Sequence, residues 1–159
     1  MSKTLIVYFS RTGITKNLAK DVARRLNLDT FEVVPVKPYS NNYLMAVAQA
    51  KLDKRPAIVD NPKNLEQYDI VVIMFPIWWF SCPKVILTLL EKNNFTGKTI
   101  IPVCTYGSSG KGSSEQDMFT SCCTAQIEPC IEATDLKEQA PEKIIEAIRN
   151  IEAKLEKKK

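Results

Sequence analysis

The chain has 159 residues, 45% of them hydrophobic and 25% charged, with a formal net charge of +4, which is the make-up of one soluble globular domain over residues 1–159. No apolar stretch reaches membrane-spanning length and the opening MSKTLIVYFSRTG has no small-residue cleavage site, so the expected location is the cytoplasm, away from any membrane. With no histidine, and with five irregularly spaced cysteines that form no CxxC unit, hydrolytic triads, metal sites and a disulfide framework are all disfavoured, and reduced thiols are expected at Cys82, Cys104, Cys122, Cys123 and Cys130.

The first β run, KTLIVYF over residues 3–9, is a continuous β-branched and aromatic run, the mark of a strand covered on both faces. After it Ile14, Leu18, Val22 and Leu26 recur at helical spacing, with Lys16, Lys20 and Arg24 on the opposite side. DTFEVVPV (29–36) is a second strand, and Pro35 and Pro38 put it at or near a sheet edge because proline has no amide to donate. NYLMAVAQAKL (42–52) reads as a helix, DIVVIMF (69–75) as a strand and PKVILTLLEKN (83–93) as a helix. KTIIPVCTY (98–106) is the next strand, SSEQDMFTSCC (113–123) the next helix, QIEPCIEA (126–133) the last strand region and PEKIIEAIRNIEAKL (141–155) the closing helix. Five β runs separated by helices imply right-handed crossovers and an α/β fold, a three-layer αβα doubly wound parallel sheet of five strands with the third and fourth runs central.

In such a sheet a ligand sits beyond the carboxyl ends of the strands, where strand order reverses. Three loops qualify. The first, SRTGIT, sets Ser10, Arg11, Thr12, Gly13, Ile14 and Thr15 at a helix N-terminus, where free amides, partial positive charge and three hydroxyls suit a phosphate. One hydroxyl would suffice to cap a helix, and three favour an anion site over a bare cap. GxxxxGK[ST] and GxGxxG are both absent, so this loop is neither a Walker loop nor a dinucleotide fingerprint. The second loop follows the buried DIVVIMF run with Pro76, Ile77, Trp78, Trp79 and Phe80, large aromatics that either pack beneath the loop or lie against a flat ligand. Adjacent tryptophans cannot easily share one environment. The third, with Thr105, Tyr106, Gly107, Ser108 and Gly110, offers backbone amides to the polar edge of a planar heterocycle.

With those residues in view, the chain resembles the flavodoxin family, whose members hold FMN non-covalently. Ser10 to Thr15 match the family's Ser/Thr-x-Thr-Gly-x-Thr phosphate loop in full, and FPIWW and TYGSSG are similar to its two ring loops. The resemblance covers essentially the whole chain. It implies a flavodoxin-like sheet in the order 2-1-3-4-5, and FMN with its phosphate at Ser10 to Thr15. Its ring would lie between Pro76 to Phe80 and Thr105 to Gly110, with Tyr106 or one of the two tryptophans stacked on it. QIEPCIEATDLKEQA has no room for the insertion of long-chain members, so the short-chain subgroup is implied.

The function so implied is low-potential electron transfer between redox partner proteins, a reductase and an acceptor, with no catalytic side chain and no bound metal. Two features differ from the usual member. Electron-carrier flavodoxins are strongly acidic, whereas residues 1–80 here hold eleven Lys/Arg against seven Asp/Glu and the remainder eleven of each. That mild excess fits solvated helix faces better than nucleic-acid binding. IWWFSC also lacks the glycine that eases the peptide turn used to stabilise a flavin semiquinone, which favours two-electron chemistry. An NAD(P)H-dependent FMN oxidoreductase of the quinone-reductase type and a flavin-free binding module are the competing readings.

Overall fold

The computed structural model describes residues 2–159. Strand β1 (Thr4–Tyr8) leads into helix α1 (Ile14–Leu26), then β2 (Asp29–Glu32), α2 (Tyr43–Leu52), β3 (Ile70–Pro76), α3 (Lys84–Lys92), β4 (Thr99–Thr105) and α4 (Ser114–Ser121). Two short strands, β5 (Gln126–Ile127) and β6 (Ile131–Glu132), are followed by a single turn, α5 (Ala133–Leu136), and the long α6 (Ala140–Lys157). All pairings within the sheet are parallel, and the order is β2-β1-β3-β4-β5 with β6 also on β4. This is the expected flavodoxin-like topology with one strand more.

Side-chain alternation divides the core in two. Ile6, Tyr8, Ile70, Val72, Met74, Ile101 and Val103 face α1 and α6, and Leu5, Val7, Phe9, Val71, Ile73, Phe75, Ile100 and Cys104 face α3 and α4. From Ile70 to Phe75 every residue of β3 is buried, as a strand covered on both sides requires. α1 ends on Asn27, left-handed at φ 52°, whose N–H closes onto the Ala23 carbonyl.

Prolines explain where the strands depart from their sequence outline. β2 stops at Glu32, although Val33 N–H still donates to Tyr8 O at 2.8 Å. Beyond it the chain leaves β1, and Pro35 forms an antiparallel bridge with Ile58, flanked by Val36 N–H to Ala57 O and Val59 N–H to Val34 O, both 2.8 Å. The last strand splits at Pro129. Glu128 N–H reaches Ile100 O at 2.9 Å, Pro129 has no amide, and Cys130 N–H turns out of the ladder to Glu115 Oε1 at 2.7 Å. Among the described residues no helix is long and apolar enough to cross a membrane.

Candidate functional site

β1, β3 and β4 run parallel and in register, Tyr8 opposite Met74 and Pro76 opposite Thr105, so the loops leaving them emerge side by side. Connections leave β1 toward β2 on one side and reach β3 on the other, and that reversal opens a crevice. A cleft of about 710 Å³ fills it, a size that accepts a compact organic ligand. Every residue singled out in the three loops lines it except Gly13 and Gly110.

At one end of the cleft the N-terminus of α1 stands without a side-chain cap. The N-cap is Gly13, left-handed at φ 95°, a conformation a β-carbon would strain. A bare cap by one of the loop hydroxyls is therefore overturned. Ser10 Oγ accepts from Gly13 N–H at 3.0 Å and shapes the loop, while the buried Thr15 hydroxyl shares a 2.9 Å bond with Thr105, tying the first loop to the third. Thr12 is exposed at the rim. Arg11 lies 5.9 Å above the Tyr43 ring and donates to Ser40 O at 3.4 Å, and Lys16 points away toward Glu32, 3.8 Å distant. Oriented amides, partial positive charge and a guanidinium give this end the groups that an anion would need.

The opposite end is aromatic. Trp78 is anchored edge-on against Phe9 and Tyr39, with ring centroids at 5.2 and 4.8 Å, geometry worth about 0.5–1.5 kcal/mol per pair beyond area burial. Trp79 is 48% exposed, donates its indole N–H to Val47 O at 3.0 Å and carries Lys51 Nζ 4.9 Å from its ring. The two adjacent tryptophans thus occupy different environments. They do so through a tight hairpin turn: Trp78 and Ser81 exchange both backbone bonds at 2.8 and 3.1 Å, while Trp79 and Phe80 take φ 51° and 60°. Two left-handed aromatic residues in succession store about 1–2 kcal/mol each. Ser113 N–H holds the Phe80 carbonyl at 2.8 Å, and Gly112 makes that approach possible, since a β-carbon there would lie 1.8 Å from Phe80 O.

Tyr106 forms the facing wall. Thr134 clamps its backbone, accepting from its N–H at 2.8 Å and donating to its carbonyl at 3.1 Å. Desolvation, reinforced by hydrogen bonding to Asp135, raises the Tyr106 pKa, so the phenol remains protonated across the physiological range. Burial likewise pushes Tyr39 up to about 12. Gly110, at φ 70°, sits against Glu132, whose carboxylate accepts from Lys111 N–H at 2.9 Å. Gly13 and Gly110 therefore shape the loops from behind rather than line the cleft.

Sequence reasoning missed Tyr43, Ala46, Val47 and Ala50 of α2, together with Thr134. For α2 a signal exists. Tyr43, Leu44, Met45 and Val47 leave it no clear polar face, and such a helix needs a contact besides the core. Among the described residues no cluster of His, Cys, Asp and Glu could hold a metal ion, and all five cysteines are free thiols.

Comparison with known proteins agrees with this architecture. A family model described as flavodoxin matches residues 3–146. A Bacteroides uniformis protein assigned as a flavoprotein is 31% identical, with a TM-score of 0.80 over 91% of this chain and 98% of its own. Its Bacteroides eggerthii counterpart is 29% identical, with a TM-score of 0.80 over 94% and 99%. A Lactobacillus acidophilus flavoprotein solved in complex with FMN is 19% identical, with a TM-score of 0.74 over 86% and 96%. Comparison with curated proteins gave no significant match. From its first strand into its last helix, this chain belongs to the flavodoxin family.

Proposed function

We propose that the protein binds one FMN and serves as a low-potential electron-transfer flavoprotein. One observation supports this above the others: a single cleft runs from an uncapped helix N-terminus to an aromatic slot, matching a ligand with a phosphate at one end and a flat ring at the other. The FMN complex of the Lactobacillus acidophilus flavoprotein supports the choice of ligand.

In this reading the free amides at the start of α1, with Thr12 and Arg11, hold the phosphate. Trp79 and Tyr106 flank the ring, and the amides of Gly107 to Ser109 bond its polar edge. The flavin supplies the redox chemistry, and the chain binds it, orients it and sets its potential. Glu132 and Asp135 beside Tyr106 disfavour added negative charge on the ring and so lower that potential. The catalytic acid or base that a hydrolase needs has no counterpart in this mechanism.

An anaerobic reductive titration of the FMN-loaded chain, followed by its visible spectrum, tests the proposal. The expected result is one flavin per chain, reduced by dithionite and left oxidised by NADPH. Rapid bleaching by NADPH would identify an NAD(P)H-dependent oxidoreductase instead. A colourless protein that leaves added FMN free would identify a flavin-free module.

A further inference from the structure

On the α4 side of the sheet, outside the cleft, two cysteines distant in sequence meet. Cys104, the next-to-last residue of β4, is fully buried in the core cluster against which Cys130 packs. Parallel pairing sets Val103 opposite Ile131 and Cys104 opposite Glu132, so Cys130 enters β6 beside this stretch of β4. The two thiols are in hydrogen-bond contact. The Cys130 thiol itself donates to Ile131 O at 3.9 Å, which leaves its sulfur as the acceptor toward Cys104. Cys130 is half-buried and so reachable from solvent, and the ladder does not fix its backbone, because its N–H goes to Glu115 Oε1 at 2.7 Å. A small shift of this residue converts the contact into a bond of about 2.05 Å. Neither cysteine lines the cleft, and among the described residues no further donor completes a metal site around them.

We propose that Cys104 and Cys130 form a redox-active dithiol whose substrate is a low-molecular-weight disulfide, with Cys130 as the attacking thiol and Cys104 as the resolving one. Exposure assigns the two roles. Cys130 gives its proton to solvent and attacks one sulfur of the external disulfide RSSR, forming Cys130–S–S–R and releasing one RS⁻, which takes up a proton. Cys104 then attacks Cys130 Sγ, the Cys104–Cys130 bond forms, and the second RS⁻ leaves and takes up the proton that Cys104 loses. Two protein thiols are oxidised and one external disulfide is reduced to two RSH. The first step prepares the second. In the resting dithiol the hydrogen bond to Cys130 leads the causes that raise the Cys104 pKa, ahead of burial, and it ends once Cys130 Sγ is bonded to sulfur. Lys111, paired with Glu115 at 2.9 Å, still lowers the Cys104 value, and Glu132 opposes it. The other thiols are less well placed. Burial pushes Cys82 up to about 12, and its hydrogen bond is to Ser81 rather than to Cys130. Cys122 and Cys123 are adjacent, but one is buried and the other exposed.

The test treats the full chain carrying Cys123→Ser, which removes the exposed thiol, with 2-hydroxyethyl disulfide in the absence of oxygen. Remaining thiols are then alkylated under denaturing conditions and the peptides mapped by mass spectrometry. The expected product is a monomer that has lost two thiols, with Cys104 joined to Cys130, and dithiothreitol is expected to restore both. Adding Cys104→Ser should stop the reaction at a lasting mixed disulfide on Cys130, and adding Cys130→Ser should leave Cys104 reduced, a split that separates attacking from resolving thiol. Should either added substitution prevent folding, the peptide map of the Cys123→Ser chain still decides. Cys104 and Cys130 both still alkylated after oxidation, a bond from either of them to Cys82, or Cys104 modified in the Cys130→Ser chain would each overturn the proposal.

Discussion

The two ends of the cleft are built in opposite ways. The end at the α1 N-terminus is local: six consecutive residues and one helix start form it, and Gly13 alone takes a left-handed conformation there. The aromatic end is assembled from α2, the turn after β3, the loop after β4 and Thr134, and it contains two strained aromatic residues. Binding an anion needs oriented amides, which any helix start provides. Holding a planar ring needs walls at a fixed separation, which only distant segments packed together can set.

The largest effect that would break this contrast lies at Gly112. Gly112→Ala is expected to cost about 2–4 kcal/mol, because the new β-carbon meets the Phe80 backbone at a positive φ, whereas Gly107→Ala meets nothing and should change stability by less than about 0.5 kcal/mol. Urea denaturation of the two variants measures the difference. Thr15→Val comes next. It leaves the buried Thr105 hydroxyl unpaired and is expected to cost about 1–2 kcal/mol in the same assay.

The strained turn gives a prediction of opposite sign. Phe80→Gly removes a left-handed side chain that is 66% exposed, and should stabilise the flavin-free chain by about 1 kcal/mol. Trp79→Gly should give no such gain, since it also loses the bond to Val47 O. A rise in Tm for both variants alike would show that the indole contact contributes nothing.

The smallest effect lies on the far side of the sheet. Hydrogen bonds from Arg25 lead the causes that hold Asp21 and Glu142 below their ordinary values of 3.8 and 4.5. Depressed carboxylate values stabilise the fold above that range and cease to do so as pH falls through the folded-state values. The Arg25→Gln variant should therefore show a shallower loss of Tm between about pH 6 and about pH 3 than the parent chain.

How much of this was legible follows the same division. SRTGIT marked the loop at the α1 N-terminus because its pattern is local, and the continuous apolar run IVVIMF identified the central strand because burial on both faces leaves no polar residue. Thr134 was invisible, and for Tyr43 to Ala50 the missing polar face signals a contact without saying which loop the helix will face. The end of β2 and the split of the last strand were readable only in part. Pro35 and Pro129 announce missing donors, but where the chain goes next depends on Ile58 and Glu115, respectively 23 and 14 residues away in sequence.

The most direct test of the central claim compares two ligands that differ only by the phosphate. Titration of the flavin-free chain with FMN, followed by quenching of flavin fluorescence, is expected to reach one equivalent, with riboflavin bound at least about tenfold more weakly and the gap narrowed by Thr12→Val. Riboflavin bound as tightly as FMN, or neither bound at all, would contradict the assignment of the α1 N-terminus as the phosphate site.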